Sequence, residues 1–328
     1  MKKLSSFGIV LIFISTFLFS SFTTKSNSFI NPPNEFETLV NYLETNNNFV
    51  KGNFPIVMAD EVKKNMKNPK YHLIDIRTGS WFEYGHIKGA ANVESENLLN
   101  HFQNEINPAD YEKIVVICYS GQSAAYYASL LRIAGYDNVY SMKWGMSSWR
   151  EDFAENSWLK NINNDYASKL ETTLNEKPLA GAHPEINTGK AEVKDILNAR
   201  LATCFETPYK DFIIKSSEVF ESPDNYFIIN YDDLEKYNFG HIPTAVQYDP
   251  STSLATTSDL FTLPVDKKIV IYDTTGQKAA YAVAYLNVLG YNVGNLAYGE
   301  NSFMNDLLKE KGWDAFTKKE VNLYPVIE

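Results

Sequence analysis

One short stretch of this chain combines residue types and spacing that can do chemistry: Cys118-Tyr119-Ser120-Gly121-Gln122-Ser123-Ala124. It follows a β-branched apolar run at residues 114–117. After it comes a stretch, 123–134, that is apolar around most of its circumference and stops at Gly135, a residue suited to the left-handed position past a helix end. A loop joining a buried strand to a helix presents consecutive backbone N–H groups and the positive end of the helix. A thiol aimed into that cradle is expected to ionise more easily. The anionic terminal sulfur of a persulfide would fit the same cradle, and no histidine base is needed. The plain alternative is packing, because free cysteine is among the most buried residue types. Gly121 and the small side chains around it leave a ligand room to approach backbone, which favours the functional reading.

The elements that must position this loop occur twice. Gly85-His86-Ile87 and Gly240-His241-Ile242 stand 155 residues apart, as do Gly121-Gln122 and Gly276-Gln277. KIVVICYSGQSAAYYASLLRIAGY is answered by KIVIYDTTGQKAAYAVAYLNVLGY, and Trp144-Gly145 by Tyr298-Gly299. Two copies of one domain are implied. Within the first copy, residues 55–58, 73–76 and 114–117 read as strands buried on both faces of a parallel sheet. Residues 59–66 and 123–134 read as helices. The alternation predicts an α/β fold, two tandem domains each with a parallel sheet flanked by helices. The expected boundaries are 34–160 for the first domain, 161–190 for a linker rich in Asn, Glu, Pro and Gly, and 191–325 for the second. Residues 35–45 and 191–203 are expected to open the two copies as helices.

A length of 328 residues suits two domains, and 44% hydrophobic with 21% charged residues excludes disordered and collagen-like classes. Thirty Lys and Arg against forty Asp and Glu give a net charge of −10, which repels a phosphate backbone and argues against a nucleic-acid partner. Two cysteines, Cys118 and Cys204, and five histidines without metal spacing cannot make a disulfide scaffold or an all-cysteine zinc site. Met1-Lys2-Lys3 followed by the apolar run 7–22 reads as a secretory signal, residues 1–24. That run falls short of the ~20 residues a spanning helix needs. The mature chain is expected to work outside the cytoplasm, in the periplasm or cell envelope of a bacterium, with no stable membrane insertion after signal removal.

The ordered set Asp75-x-Arg77, Gly85-His86-Ile87-x-Gly89-Ala90, Cys118-x-x-Gly121 and Trp144-Gly145 through Trp149 resembles the rhodanese family of sulfurtransferases, in tandem over almost the whole mature chain. The resemblance implies that Cys118 takes sulfane sulfur from a small-molecule donor, becomes a persulfide, and passes the sulfur to a nucleophilic acceptor. It implies that Tyr119, Ser120, Gly121, Gln122 and Ser123 wrap the sulfur and substrate, that Arg77 helps hold an anionic donor, and that no metal or organic cofactor takes part. Position 123 is serine, whereas single-domain members commonly close this loop on arginine. An uncharged loop is nearer the mercaptopyruvate type than the thiosulfate type. Phosphatases that share the fold need a longer loop closing on arginine, which disfavours phosphoryl transfer. Tandem members usually carry the reactive cysteine in the second domain, not the first, and Trp81-Phe82 stands where an acid and an aromatic are usual.

In the second copy Asp273 takes the cysteine's place, Asn230 replaces Asp75 and Asp232 replaces Arg77. Asp273 can accept the same loop amides but offers no nucleophilic sulfur, so this domain reads as an inactive partner walling one side of the pocket. A carboxylate site of its own would need a second acid, which the motif does not supply. Cys204 reads as a buried thiol, the alternative being a resolving thiol for Cys118. His86 and His241 recur with and without the cysteine and read as turn residues; His72, His101 and His183 lack a ligand pattern. Two rivals to the sulfurtransferase are a non-catalytic binding module and an envelope thiol sensor. Oligomeric state is left open.

Overall fold

The computed structural model describes residues 34–46, 54–250 and 252–328, so the signal-like start lies outside the described residues. The first half runs α1 (Glu35–Asn46), β1 (Ile56–Val57), α2 (Ala59–Asn65), β2 (Tyr71–Asp75), α3 (Gly79–Tyr84), β3 (Ala91–Asn92), the one-turn α4 (Leu98–Asn100), β4 (Lys113–Ile117), α5 (Gln122–Ile133), β5 (Val139–Met142), α6 (Glu151–Asn156) and α7 (Trp158–Asn161). The second runs α8 (Val193–Glu206), β6 (Ile213–Ile214), α9 (Ser216–Glu221), β7 (Tyr226–Asn230), α10 (Leu234–Phe239), β8 (Val246–Gln247), β9 (Lys268–Tyr272), α11 (Gln277–Val288), β10 (Val293–Leu296) and α12 (Asn301–Lys311).

Each half builds one five-stranded sheet, ordered β1-β5-β4-β2-β3 and β6-β10-β9-β7-β8, and every pairing is parallel. The central strands carry the chemistry-bearing loops. β4 is buried from Ile114 onward because both its faces are covered by helices, which is what an unbroken β-branched run requires. It pairs with β2 residue for residue, from Tyr71 opposite Lys113 to Asp75 opposite Ile117, and with β5 on its other side. The chain therefore leaves β4 at the carboxyl edge of the sheet where neighbouring connections diverge, the usual place for a ligand crevice in open α/β sheets. β3 has two residues and β5 reads Val-Tyr-Ser-Met, patterns too weak for a strand to be read from sequence.

The two helices read as openings of the copies do more than that. α1 leans on the linker and the second half: Phe36 stacks on His183 at 4.3 Å and meets the rings of Phe261 and Tyr291, and Glu44 accepts the Thr256 N–H at 2.6 Å. α8 lies across both halves, with Phe205 stacked on Tyr127 and Arg200 donating to the carbonyls of Asn287 and Val288. Between the halves α5 packs on α11. Both are rich in Ala and buried on nearly every face, and Ser129 Oγ donates across to the Tyr281 carbonyl at 3.0 Å.

Each half is also closed by a strap from beyond its own end. Residues 163–171 lie on the second half, where Glu171 and His241 exchange backbone hydrogen bonds of 3.0 Å. Residues 321–328 return to the first half, where His86 and Ile327 exchange bonds of 2.9 Å. The two histidines sit at these junctions. Nδ1–H of His86 donates to the Phe82 carbonyl and Nδ1–H of His241 to that of Tyr237, matching the turn role read from their recurrence.

Candidate functional site at the end of the central strand

Cys118 immediately follows β4, and Gly121, at φ +88°, turns the chain into α5. The Cys118 Sγ accepts the Gly121 N–H at 3.1 Å and the Ala124 N–H at 3.3 Å. The loop's carbonyls are held from behind: Cys118 O takes Met146 N–H at 2.8 Å, Tyr119 O takes Ser147 Oγ at 2.9 Å, and Ser120 O takes Trp158 Nε1 at 3.0 Å. That leaves the amides free to face the sulfur. The close approach of the Trp144–Trp149 segment requires Gly145, where a Cβ would stand 2.5 Å from the Cys118 carbonyl oxygen.

The cradle is as expected, but its electrostatic outcome is not. Cys118 is 1% exposed, and burial pushes its thiol above the ordinary value despite opposing hydrogen bonds from Ser123, Ala124, Gly121 and Ser120. Loss of water disfavours the charged form more than these neutral donors favour it. The expectation of an easily ionised thiol is corrected accordingly. Cys204 is also a free buried thiol, pushed up to about 12 by burial, and the two cysteines form no disulfide.

Over the loop lies a cavity of about 710 Å³ built from both halves. Tyr119, Ser120, Gln122 and Ser123 line it from the first half, with Lys160; Tyr209, Lys215 and Tyr298 line it from the second. The expected loop residues are thus brought together, except that Gly121 faces inward. Gln122 reaches the rim, but its side chain is occupied across the interface, Nε2 donating to Thr275 O at 3.3 Å. Arg77, expected to hold a donor, does not line the cavity. It is buried, doubly bonded to Asp75 through Nε and Nη2 (2.7 Å to Oδ2) and donating to Gly85 O at 2.7 Å. Its guanidinium lies 4.9 Å from the Phe153 ring and 5.8 Å from Tyr119. With the carboxylate two residues away on the same strand end, the short-range ion pair captures it, and it supports Tyr119 from beneath. Sequence reasoning missed Tyr209, Tyr298, Lys160 and Lys215. No local signal marks them, since their relevance comes only from how the two halves meet.

In the second half Asp273 holds the cysteine's position. Its carboxylate accepts Thr275 N–H and Ala279 N–H, both at 2.9 Å, so the loop persists without a nucleophile. The absence of a second acid is corrected by the fold. Asp232 and the buried Glu300 are close enough to act on Asp273, and burial plus the Asp232 charge push Asp273 and Glu300 up. Asp232 itself is held down by Lys278 and Lys236, bonded at 3.4 and 2.8 Å. A smaller cavity of about 500 Å³ lies over this loop, and both of its lining lysines are paired within it, Lys278 with Asp232 and Lys143 with Asp314. Among the described residues no group of three or more His, Cys, Asp or Glu is placed to hold a metal ion, and no helix is long and apolar enough to cross a membrane.

The chain is 45% identical over 80 residues to a thiosulfate sulfurtransferase GlpE of Shewanella oneidensis, covering 24% of this chain and 75% of that protein. With the protein of the same name from Actinobacillus pleuropneumoniae the identity is 36% over 85 residues, covering 26% and 75%. Among solved structures, the 3-mercaptopyruvate sulfotransferase SseA from Escherichia coli matches 75% of this chain and 98% of its own at 19% identity and a TM-score of 0.27. The model of the rhodanese-like domain matches twice, at residues 58–152 and 219–306, once over each sheet and its loop. The chain belongs to the rhodanese-like domain family and carries two copies of that domain.

Proposed function

We propose that this protein is a sulfurtransferase in which Cys118 carries sulfane sulfur as a persulfide between a small-molecule donor and a thiophilic acceptor. The observation that carries the reading is the Cys118 Sγ held by two loop amides beneath a cavity, with no equivalent sulfur in the second half. The names of the GlpE relatives support the reaction class. In the step, the Cys118 thiolate attacks the outer sulfur of the donor, the donor's bond to that sulfur breaks, and its electron pair leaves with the donor remnant. For thiosulfate the remnant is sulfite; for 3-mercaptopyruvate it is pyruvate, after proton uptake at carbon. The sulfur moves as a neutral atom and no external oxidant is consumed. A hydropersulfide is a stronger acid than a thiol, so the same cradle favours the loaded state. Arg77 enters as a positioning residue through Tyr119. Export to the periplasm or envelope is part of the proposal and rests on the apolar run 7–22 after Lys2-Lys3.

Incubation with thiosulfate, 3-mercaptopyruvate or an organic persulfide is expected to add one sulfur atom to the intact mass and none to Cys118→Ser. If no donor adds sulfur, the enzymatic reading is lost. A second reading, a binding module that has lost turnover, is favoured by the burial of Cys118. It requires that Cys118→Ser leave ligand binding intact.

A further inference from the structure

The two straps close the two halves differently, and the difference leaves one face open. Both set an apolar residue on the glycine of the Gly-His-Ile turn: a Cβ on Gly85 would stand 2.9 Å from Val326, and one on Gly240 3.1 Å from Leu170. On the second half the strap then covers α9, where Tyr166 stacks on Phe220 at 4.4 Å and both rings pack against the core. The matching helix of the first half offers no ring to cover. Ala59-Asp60-Glu61-Val62-Lys63-Lys64 of α2 stands where the second copy has Ser216-Ser217-Glu218-Val219-Phe220-Glu221. Between α2 and the strap lies a groove of about 490 Å³.

We propose that this groove docks an extended acidic segment of a partner protein, one that carries an apolar side chain between carboxylates. Four lysines line the groove, Lys63, Lys64, Lys67 and Lys88, and no acid does. None of the four makes an ion pair among the described residues. The acids of α2 are engaged elsewhere, Glu61 with Lys113 and Asp60 with the Tyr324 hydroxyl. On a molecule of net charge −10 this is a concentrated patch of the opposite sign, and such a patch selects and steers an anionic partner. The fold does not require it, since Phe220, Glu221 and Pro243 stand at the positions of Lys63, Lys64 and Lys88 in the other copy. The rest of the lining is apolar: Met66, Pro325, Val326 and Ile327, the last 43% exposed. An inorganic oxyanion could use the lysines but would leave that apolar surface bare. An anionic membrane is broad and would also meet the negative charge of the remaining molecule, whereas a narrow segment meets the lysines alone. The chain's own residues 1–33 and 47–53 contain lysine but no Asp or Glu, so they cannot supply the carboxylates.

The test measures fluorescence anisotropy of short labelled peptides with the full chain: one with Val between pairs of acidic residues, its amide counterpart, and an acidic one with Gly for Val. The first is expected to bind about ten-fold or more tightly than the amide peptide, the scale of several exposed ion pairs together. It should bind about five-fold more tightly than the Gly peptide, the scale of a partly buried apolar side chain. Lys64→Gln, Lys67→Gln and Lys88→Gln should each weaken it about two- to five-fold with an unaltered urea midpoint. Lys194→Gln on α8, an exposed lysine outside the groove, should change nothing. No binding of the acidic peptide, equal binding of the amide peptide, or indifference to the groove lysines would overturn the proposal. So would displacement by inorganic phosphate at the concentrations at which the unlabelled acidic peptide displaces. Stronger retention on phosphatidylglycerol vesicles would replace the peptide with a membrane surface. Self-association lost in the lysine variants would replace it with a second copy of this chain.

Discussion

Cys118 receives its amide donors and loses its water at the same position, and the loss is the larger effect. The sign follows. With the folded pKa above the free value, the thiolate fraction at neutral pH is smaller than that of a peptide cysteine. The rate of alkylation by iodoacetamide should therefore inflect at higher pH than for the unfolded chain, and Ser123→Ala, which removes a donor, should move the inflection higher still. Stability contributed by the neutral thiol is complete below the unfolded pKa and declines as pH rises through and beyond it. An inflection at or below that of a peptide thiol would contradict the burial argument. Cys204, at about 12, stays silent over most of this range. The position of Cys118 was legible because a β-branched run, a small-residue loop and a helix are local patterns. Its burial was not, because Tyr209 and Tyr298 arrive from the second half and are distant in sequence. Arg77 misled for the opposite reason: Asp75-x-Arg77 looks like a clamp for a ligand, yet the nearest anion is its own neighbour.

The first residues of α5 and α11 hold each other's loops. Gln277 is buried; its Oε1 accepts Trp144 N–H at 3.1 Å and its Nε2 donates to Gly121 O at 3.2 Å and Met142 O at 3.4 Å. Gln122 reaches the opposite way to Thr275 O. A Cβ on Gly121 would lie 2.5 Å from the Gln277 amide, so the turn that aims the Gly121 N–H at sulfur is shaped by a residue of the other copy. Gln277→Met keeps the volume and leaves the Trp144 N–H unpaired, a cost of about 1–3 kcal/mol. It should also shift the Cys118 alkylation profile, which a loss of stability alone would not do. Urea unfolding and the pH–rate profile together check this, and an unchanged profile would confine Gln277 to a packing role. The repeat of Gly-Gln at a fixed spacing was plain in the sequence. That the two glutamines cross was not, because a pseudo-twofold pairing of α5 with α11 leaves no mark on either segment alone.

Each half is finished by residues from outside its own repeat: 163–171 on the second half, 321–328 on the first, and α1 of the first against Phe261 and Tyr291 of the second. The expected boundaries at 34–160 and 191–325 follow the repeated pattern, whereas the contacts of the two straps and of α1 cross them. Removing residues 321–328 deletes the His86–Ile327 pair, the Tyr324 N–H bond to Trp149 O at 2.8 Å and the Trp149 Nε1 bond to Pro325 O at 3.0 Å. At about 1 kcal/mol for each bond the truncated chain should lose about 3–5 kcal/mol and melt several degrees lower; an unaltered midpoint would show the strap to be decoration. The crossed arrangement also bears on synthesis. A nascent polypeptide leaves the ribosome from its amino end, and leading domains usually close while the rest is still being made. Here the leading half lacks its closing strap until residues 321–328 have emerged, so the half that holds Cys118 is completed only after nearly all of the chain has been translated.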